Sequence, residues 1–237
     1  MKTTICLYSL VSFLFLYAYH CNGKPSSFDF FLLAQQWPPV ICTANPDYRC
    51  RVPPSWNSNA RWTIHGLWPA VYNVRGPSYC NDSYKLNVNS LQDLLPKLKY
   101  YWPNVFRGNT DVNFWSHEWR KHGTCAMSVD FLNDEHDYFK EALKIRKSLD
   151  IYNTLVNAGI VPSETHTYDV DKISFAITAA YRVKPMLLCG SNKSIGQFLS
   201  AIHLCMDKTL KLIDCGSFVY VSSPCQKGKS VKYITSF

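Results

Sequence analysis

Apolar residues in this chain gather into short runs, parted by polar and proline-rich stretches, and the spacing within each run predicts its element. Phe28 to Trp37 is nearly unbroken apolar sequence ended by Pro38-Pro39, which predicts a buried first strand. Gln35 and Gln36 near its end are polar groups in apolar company, open to reading as satisfied amides or as substrate contacts. Residues 42–59, with Pro46, Pro53 and Pro54, predict a loop. Trp62-Thr63-Ile64-His65 alternates like a strand, Gly66 is expected to break it, and Pro69 closes the segment. Leu91, Leu94, Leu95 and Leu98 recur at helical spacing, and Pro96 within them predicts a kink or two short helices.

After a connecting loop over 102–108 comes Phe114-Trp115-Ser116-His117-Glu118-Trp119-Arg120-Lys121-His122-Gly123-Thr124-Cys125, read as a helix that stops at Gly123. Asn133 is expected to cap the next helix, with Asp134 and Glu135 in its first turn and Lys144, Arg146 and Lys147 toward its end. Ile151 to Ala158 and Ile173 to Tyr181 predict short helices. Met186 to Cys189, Phe198 to Met206 and Leu210 to Ile213 predict strands, the last two joined at Asp207-Lys208-Thr209. Helices in the middle and strands toward both ends indicate an α+β fold, an antiparallel sheet with helices packed on it.

Composition then narrows the setting. The apolar run from Ile5 to Tyr19 behind Lys2 reads as a signal peptide over residues 1–22, followed by one domain over 23–237, soluble, extracellular and with no membrane span. Of the ten cysteines, Cys6 and Cys21 fall in that leader, so eight remain, an even number in an exported chain. Four disulfides are the natural inference, with Cys42–Cys50 and Cys205–Cys215 as plausible local loops. No CxxC pair occurs, so zinc is not expected. Asn81-Asp82-Ser83 and Asn192-Lys193-Ser194 are acceptor sequences for N-glycosylation at Asn81 and Asn192. The formal charge of +8, of which only Lys2 precedes residue 24, suits a polyanionic partner, whether nucleic acid, wall polysaccharide or a membrane surface.

The chemistry concentrates in the stretch from 114 to 125. As a regular helix, at about 100° per residue, it places His117, Lys121, Glu118 and His122 on one side. Internal attack on a phosphodiester needs one group to take a hydroxyl proton, another to protonate the leaving oxygen, and positive charge for the crowded phosphorane. Imidazole titrates near neutrality, so two histidines fill both proton roles. His65, at a strand end, can face His122 across a phosphate with Lys121 and Glu118 alongside. His117 and His122 are five apart, the wrong interval for a helical HExxH zinc site.

Trp62-Thr63-Ile64-His65-Gly66-Leu67-Trp68-Pro69 and the 114–125 stretch resemble, almost without departure, the two catalytic segments of the ribonuclease T2 family. Gln35-Gln36-Trp37-Pro38-Pro39 and the cysteine pattern extend the resemblance over essentially the whole exported chain. It implies a metal-independent, cofactor-free endoribonuclease that makes 2′,3′-cyclic phosphates and then 3′-phosphates. In it His122 is the general base, His65 the general acid, Lys121 and Glu118 stabilise the phosphorane, and His117 holds the phosphate. DNA, without the attacking hydroxyl, is excluded as substrate. It further implies base contacts from Gln36, from Asn104, Val105, Phe106 and Arg107, and from Phe114. The implied disulfides are Cys42–Cys50, Cys80–Cys125, Cys189–Cys225 and Cys205–Cys215. Within the family, the basic charge resembles the pistil S-RNases of self-incompatibility, which implies a monomer with RNA as substrate and a protein partner in pollen recognition. The alternatives are an S-like stress or phosphate-starvation enzyme, or a non-catalytic storage or binding relative.

Overall fold

The computed structural model describes residues 27–44, 49–50, 61–193, 195–217 and 219–235, so the expected leader and most of the proline-rich loop lie outside the described residues. In chain order the elements are β1 (Phe30–Gln36), α1 (Pro38–Ala44), β2 (Thr63–Ala70), a 3-10 turn (Val88–Leu91) and α2 (Leu95–Tyr101). Then come α3 (Asp111–Glu118), a π-helical turn (Trp119–Gly123), α4 (Thr124–Ala126), α5 (Glu135–Ser148) and α6 (Ile151–Asn157). The chain ends with β3 (Thr167–Asp169), α7 (Val170–Tyr181), β4 (Met186–Asn192), β5 (Gly196–Met206), β6 (Leu212–Ile213) and β7 (Ser230–Lys232). This is the expected α+β architecture.

The strands form one sheet in the order β2-β1-β5-β7-β3, with β4 and β6 also pairing on the long β5. Pairing is antiparallel except where β5 meets β7 at Phe198 and Lys232. All seven residues of β1 are buried, which explains its lack of alternation, because both faces of this strand are covered. Phe31 and Leu33 face the main core with Trp62, Trp115, Trp119 and Phe139, while Phe30 and Leu32 face a smaller cluster around Ala70 and the Cys205–Cys215 disulfide.

Several local expectations are corrected. Pro38-Pro39 ends β1 by opening α1, since a first-turn proline lacks only an N–H that the helix would leave unpaired. Gly66 does not break its strand: β2 continues to Ala70, with Gly66 opposite Ala34. A Cβ on Gly66 would run into Trp68 Nε1 and Glu118 Oε2, so the glycine makes room for a side-chain contact. Gly123 does not stop the helix either. It keeps right-handed dihedrals and the chain runs on through α4, while a Cβ there would strike the Trp119 ring. Asp134, not Asn133, caps α5 by accepting from the Asp137 N–H at 2.9 Å.

Four disulfides join Cys42–Cys50, Cys80–Cys125, Cys189–Cys225 and Cys205–Cys215. Tryptophan N–H groups add a second set of ties near the future site. Trp115 donates to the Trp102 carbonyl at 2.7 Å, Trp119 to Tyr84 at 3.0 Å, and Trp102 to the carbonyl of His65 at 2.9 Å.

Candidate active site

β2 and the α3–π–α4 helix cross at one open cleft of about 1230 Å³, whose lining includes His65, Trp68, His117, Lys121, His122 and His203. Thr110 starts α3 by accepting from the Asn113 N–H at 3.0 Å. The helix then widens into the π turn at Trp119–Gly123, a local irregularity frequent at functional sites. The wider turn draws His122 closer to the His117 side than the ~140° that a regular helix would leave between residues five apart. His117, Lys121 and His122 therefore all reach the cleft.

Glu118 does not share that face, and this revises the simple helical projection. Its carboxylate is 1% exposed and accepts from the Trp68 indole N–H at 2.8 Å. Its other oxygen lies 3.9 Å from His65 Nε2. Glu118 is thus behind His65, placed to orient and charge that imidazole, and it is absent from the cleft lining.

Trp68 is the hub of the arrangement. Its ring meets His65 edge-on at 5.1 Å, stacks on His122 at 5.1 Å and 28°, and meets His203 edge-on at 5.4 Å. The two histidines picked out for proton transfer therefore stand at one aromatic plate, one from a strand and one from a helix. Tyr79 N–H donates to the Lys121 carbonyl at 3.0 Å, and the adjacent Cys80–Cys125 disulfide fixes the same wall.

Burial first, and then the crowding of like groups, shapes the titration. Desolvation, then the Lys121 and His117 charges, push the His65 imidazole down to about 4. With 44% of that side chain open to the cleft, water offsets part of the desolvation. Burial, Lys121 and the two neighbouring imidazoles push His122 down to about 3, and burial followed by Lys121 and Arg120 lowers His117. Burial acts in the opposite sense on Glu118, raising its carboxyl to about 8 against the pull of Trp68 and Lys121. The Glu118–His65 pair thus holds one proton between about pH 4 and 8, and an anion in the cleft favours its residence on the imidazole.

Of the residues expected to touch a base, Gln36, Asn104, Val105, Phe106 and Phe114 line the cleft, with Phe114 at 5.8 Å from His65. Asn104 is a loop organiser: its amide donates to the Phe106 and Asn109 carbonyls at 2.7 and 2.9 Å. Arg107 departs from the expectation. It does not line the cleft, because its Nε–H is used on the Cys50 carbonyl at 2.9 Å. Gln35 is fully buried, with neither amide atom hydrogen-bonded. Asn81 accepts from the Ser83 N–H and hydroxyl, and Asn192 from the Ile195 N–H.

Sequence reasoning missed His203, Trp102 as the tie on His65, and the Val71–Tyr79 and Tyr220–Ser222 parts of the cleft wall. Only the indole-rich composition near each motif gave a hint of the second.

Fold and relatives agree on one class, an enzyme that is a ribonuclease. More particularly, the chain belongs to the Ribonuclease T2 family, which it matches over residues 28–215. It is 35% identical to Ribonuclease Oy of Magallana gigas over 208 residues, covering 86% of this chain and 95% of that protein. With Ribonuclease 1 of Arabidopsis thaliana it shares 33% identity over 220 residues, 92% of this chain and 93% of the relative. Among solved structures, RNase NT in complex with 5′-AMP superposes with a TM-score of 0.76 at 32% identity, covering 88% of this chain and 99% of that one.

Proposed function

We propose that this protein cleaves single-stranded RNA by attack of a ribose 2′-hydroxyl on its own phosphodiester, yielding a 2′,3′-cyclic phosphate that is then hydrolysed to a 3′-phosphate. The observation that carries the reading is the meeting of His65 and His122 at the Trp68 ring within one cleft. His122, held neutral by burial, takes the 2′-hydroxyl proton. The phosphate enters as an anion and restores the proton to His65, which gives it to the departing 5′-oxygen. Lys121 and His117 supply positive charge to the phosphorane, and Glu118, acting through His65, compensates the imidazolium. In the second step the roles reverse, with His65 activating water and His122 protonating the 2′-oxygen.

Phe114, which meets the His65 ring at 5.8 Å, marks the wall for the base that leaves with the 5′-oxygen, and Gln36 and Phe106 line the same cleft. The test is incubation of the purified protein with RNA and with DNA in EDTA, beside His65→Ala and His122→Ala. RNA alone should be cut, and each variant should lose at least about a hundredfold. Intact RNA with the wild type, or a His122→Ala form of near-normal rate, would refute the assignment.

The apolar leader and the four disulfides support secretion, and the charge of +8 supports a pistil S-RNase, for which the expectation is a monomer glycosylated at Asn81 and Asn192 and read by a pollen protein. Pistil-restricted transcript supports this role, and induction in phosphate-starved leaves contradicts it.

A further inference from the structure

His203 on β5 is a buried imidazole that the proton-transfer scheme leaves unused. It is 4% exposed, lines the cleft, and its Nδ1 is enclosed without a hydrogen-bond partner. Around it the floor is apolar: Phe30, Leu32, Ala70, Met186, Val221 and the Cys205–Cys215 disulfide cluster with Trp68. Its strand neighbours are Ala34 on β1 and Met186 on β4. A buried polar atom left unpaired is costly, and a phenylalanine or leucine in this floor would avoid the cost. A polar ligand atom arriving in the cleft would remove it.

Two observations select the kind of ligand. Burial and the nearby His65 push His203 down to about 3, so the ring is neutral and offers one donor and one acceptor nitrogen. Either nitrogen can meet a complementary group on the neutral edge of a nucleobase, whereas an anion is held better by a cationic ring. The position selects which base. His203 stands edge-on to Trp68, whose ring also stacks on His122, whereas Phe114 meets the His65 ring at 5.8 Å. Val71, Tyr79, Tyr220 and Val221 complete an apolar and aromatic wall in the same cleft.

Resting on the ribonuclease reading above, we infer that His203 is a specificity-determining residue, hydrogen-bonding the base of the nucleoside whose 2′-hydroxyl attacks. The test compares wild type with His203→Phe, which keeps the ring against Trp68, and His203→Gln, which keeps a donor and an acceptor. Each is assayed for kcat and KM on the four NpA and the four ApN dinucleoside phosphates. In His203→Phe the spread of kcat/KM across the NpA series should shrink about three- to tenfold, the worth of one neutral hydrogen bond, while the ApN series keeps its ranking. His203→Gln should retain more of the spread.

An unchanged NpA ranking in folded His203→Phe overturns the inference, as does an equal loss on all seven substrates (ApA belongs to both series), or a change confined to the ApN series. Wild-type protein that cuts no RNA sinks the ribonuclease reading and this inference with it. If neither variant folds, the His203 ring ¹⁵N resonance of wild type decides, titrated with nucleoside 3′-monophosphates: a base-dependent shift supports the contact, and none refutes it.

Discussion

Replacing Glu118 by glutamine isolates the part of the site that the cleft lining does not reveal. The amide keeps an oxygen for the Trp68 N–H, 2.8 Å away in the wild type, and removes the charge that forms 3.9 Å from His65 Nε2 when the shared proton passes to the imidazole. At an effective dielectric of ~20, unit charges at that distance attract by about 4 kcal/mol. Because the His65 side chain is 44% exposed, solvent screening reduces this to roughly 1–2 kcal/mol, or about one pH unit in the imidazolium's favour. His65 must carry a proton to act as general acid, so the basic limb of kcat/KM should move to lower pH by about one unit in Glu118→Gln. The assay is the pH dependence of kcat/KM on one dinucleoside phosphate. A basic limb that stays in place, or moves upward, refutes the claim that Glu118 works through His65.

The same substitution has a stability signature of defined sign. The folded-state carboxyl is raised from 4.5 to about 8 by burial. Its favourable neutral form is therefore fully present below about 4.5 and lost as pH rises through 8. Glutamine carries no such proton, so Glu118→Gln should gain in Tm relative to wild type between pH 5 and 8. A constant difference across that range contradicts a buried, proton-holding Glu118.

Three further outcomes are expected. Gly66→Ala places a methyl group on Trp68 Nε1 and Glu118 Oε2, so kcat should fall at least about tenfold through loss of that hydrogen bond, measured alongside the melting curve. Removing Cys80 and Cys125 together opens a 45-residue separation and should cost ~4 kcal/mol on the chain-entropy account, a Tm decrease of roughly 10 °C by calorimetry. Inorganic phosphate should bind with proton uptake near pH 6, because an anion offsets the lowering of His117, the cleft imidazole outside the proton-transfer pair, and titration calorimetry in buffers of different ionisation enthalpy reads that uptake.

Which parts were legible follows from how local each signal is. The continuous apolar run of β1 and the leucine spacing around Pro96 report burial directly, and the two histidine segments are contiguous in sequence. Gly66 and Gly123 misled because a glycine absent a side chain for packing reasons looks the same as one marking a boundary. Both are fixed by tertiary neighbours, Trp68 with Glu118 and the Trp119 ring. The π turn has no simple periodicity, so a regular helix wrongly put Glu118 on the same open face as His122. β3 and β7 are three-residue pairs at the sheet edge, too short to carry an alternation. His203 is invisible as a cleft residue until β5 pairs with β1, since its own stretch reads as an ordinary buried strand.

The mechanism turns on the 2′-hydroxyl, and one oligonucleotide addresses it: a single-stranded RNA with one internal 2′-deoxynucleotide, incubated with the protein in EDTA and its fragments resolved by mass. Cleavage at the ribose linkages with transient 2′,3′-cyclic phosphate ends, and none immediately 3′ of the deoxynucleotide, is the expected result. Cutting at that deoxy linkage would contradict attack by the neighbouring hydroxyl and, with it, the roles given to His122 and His65.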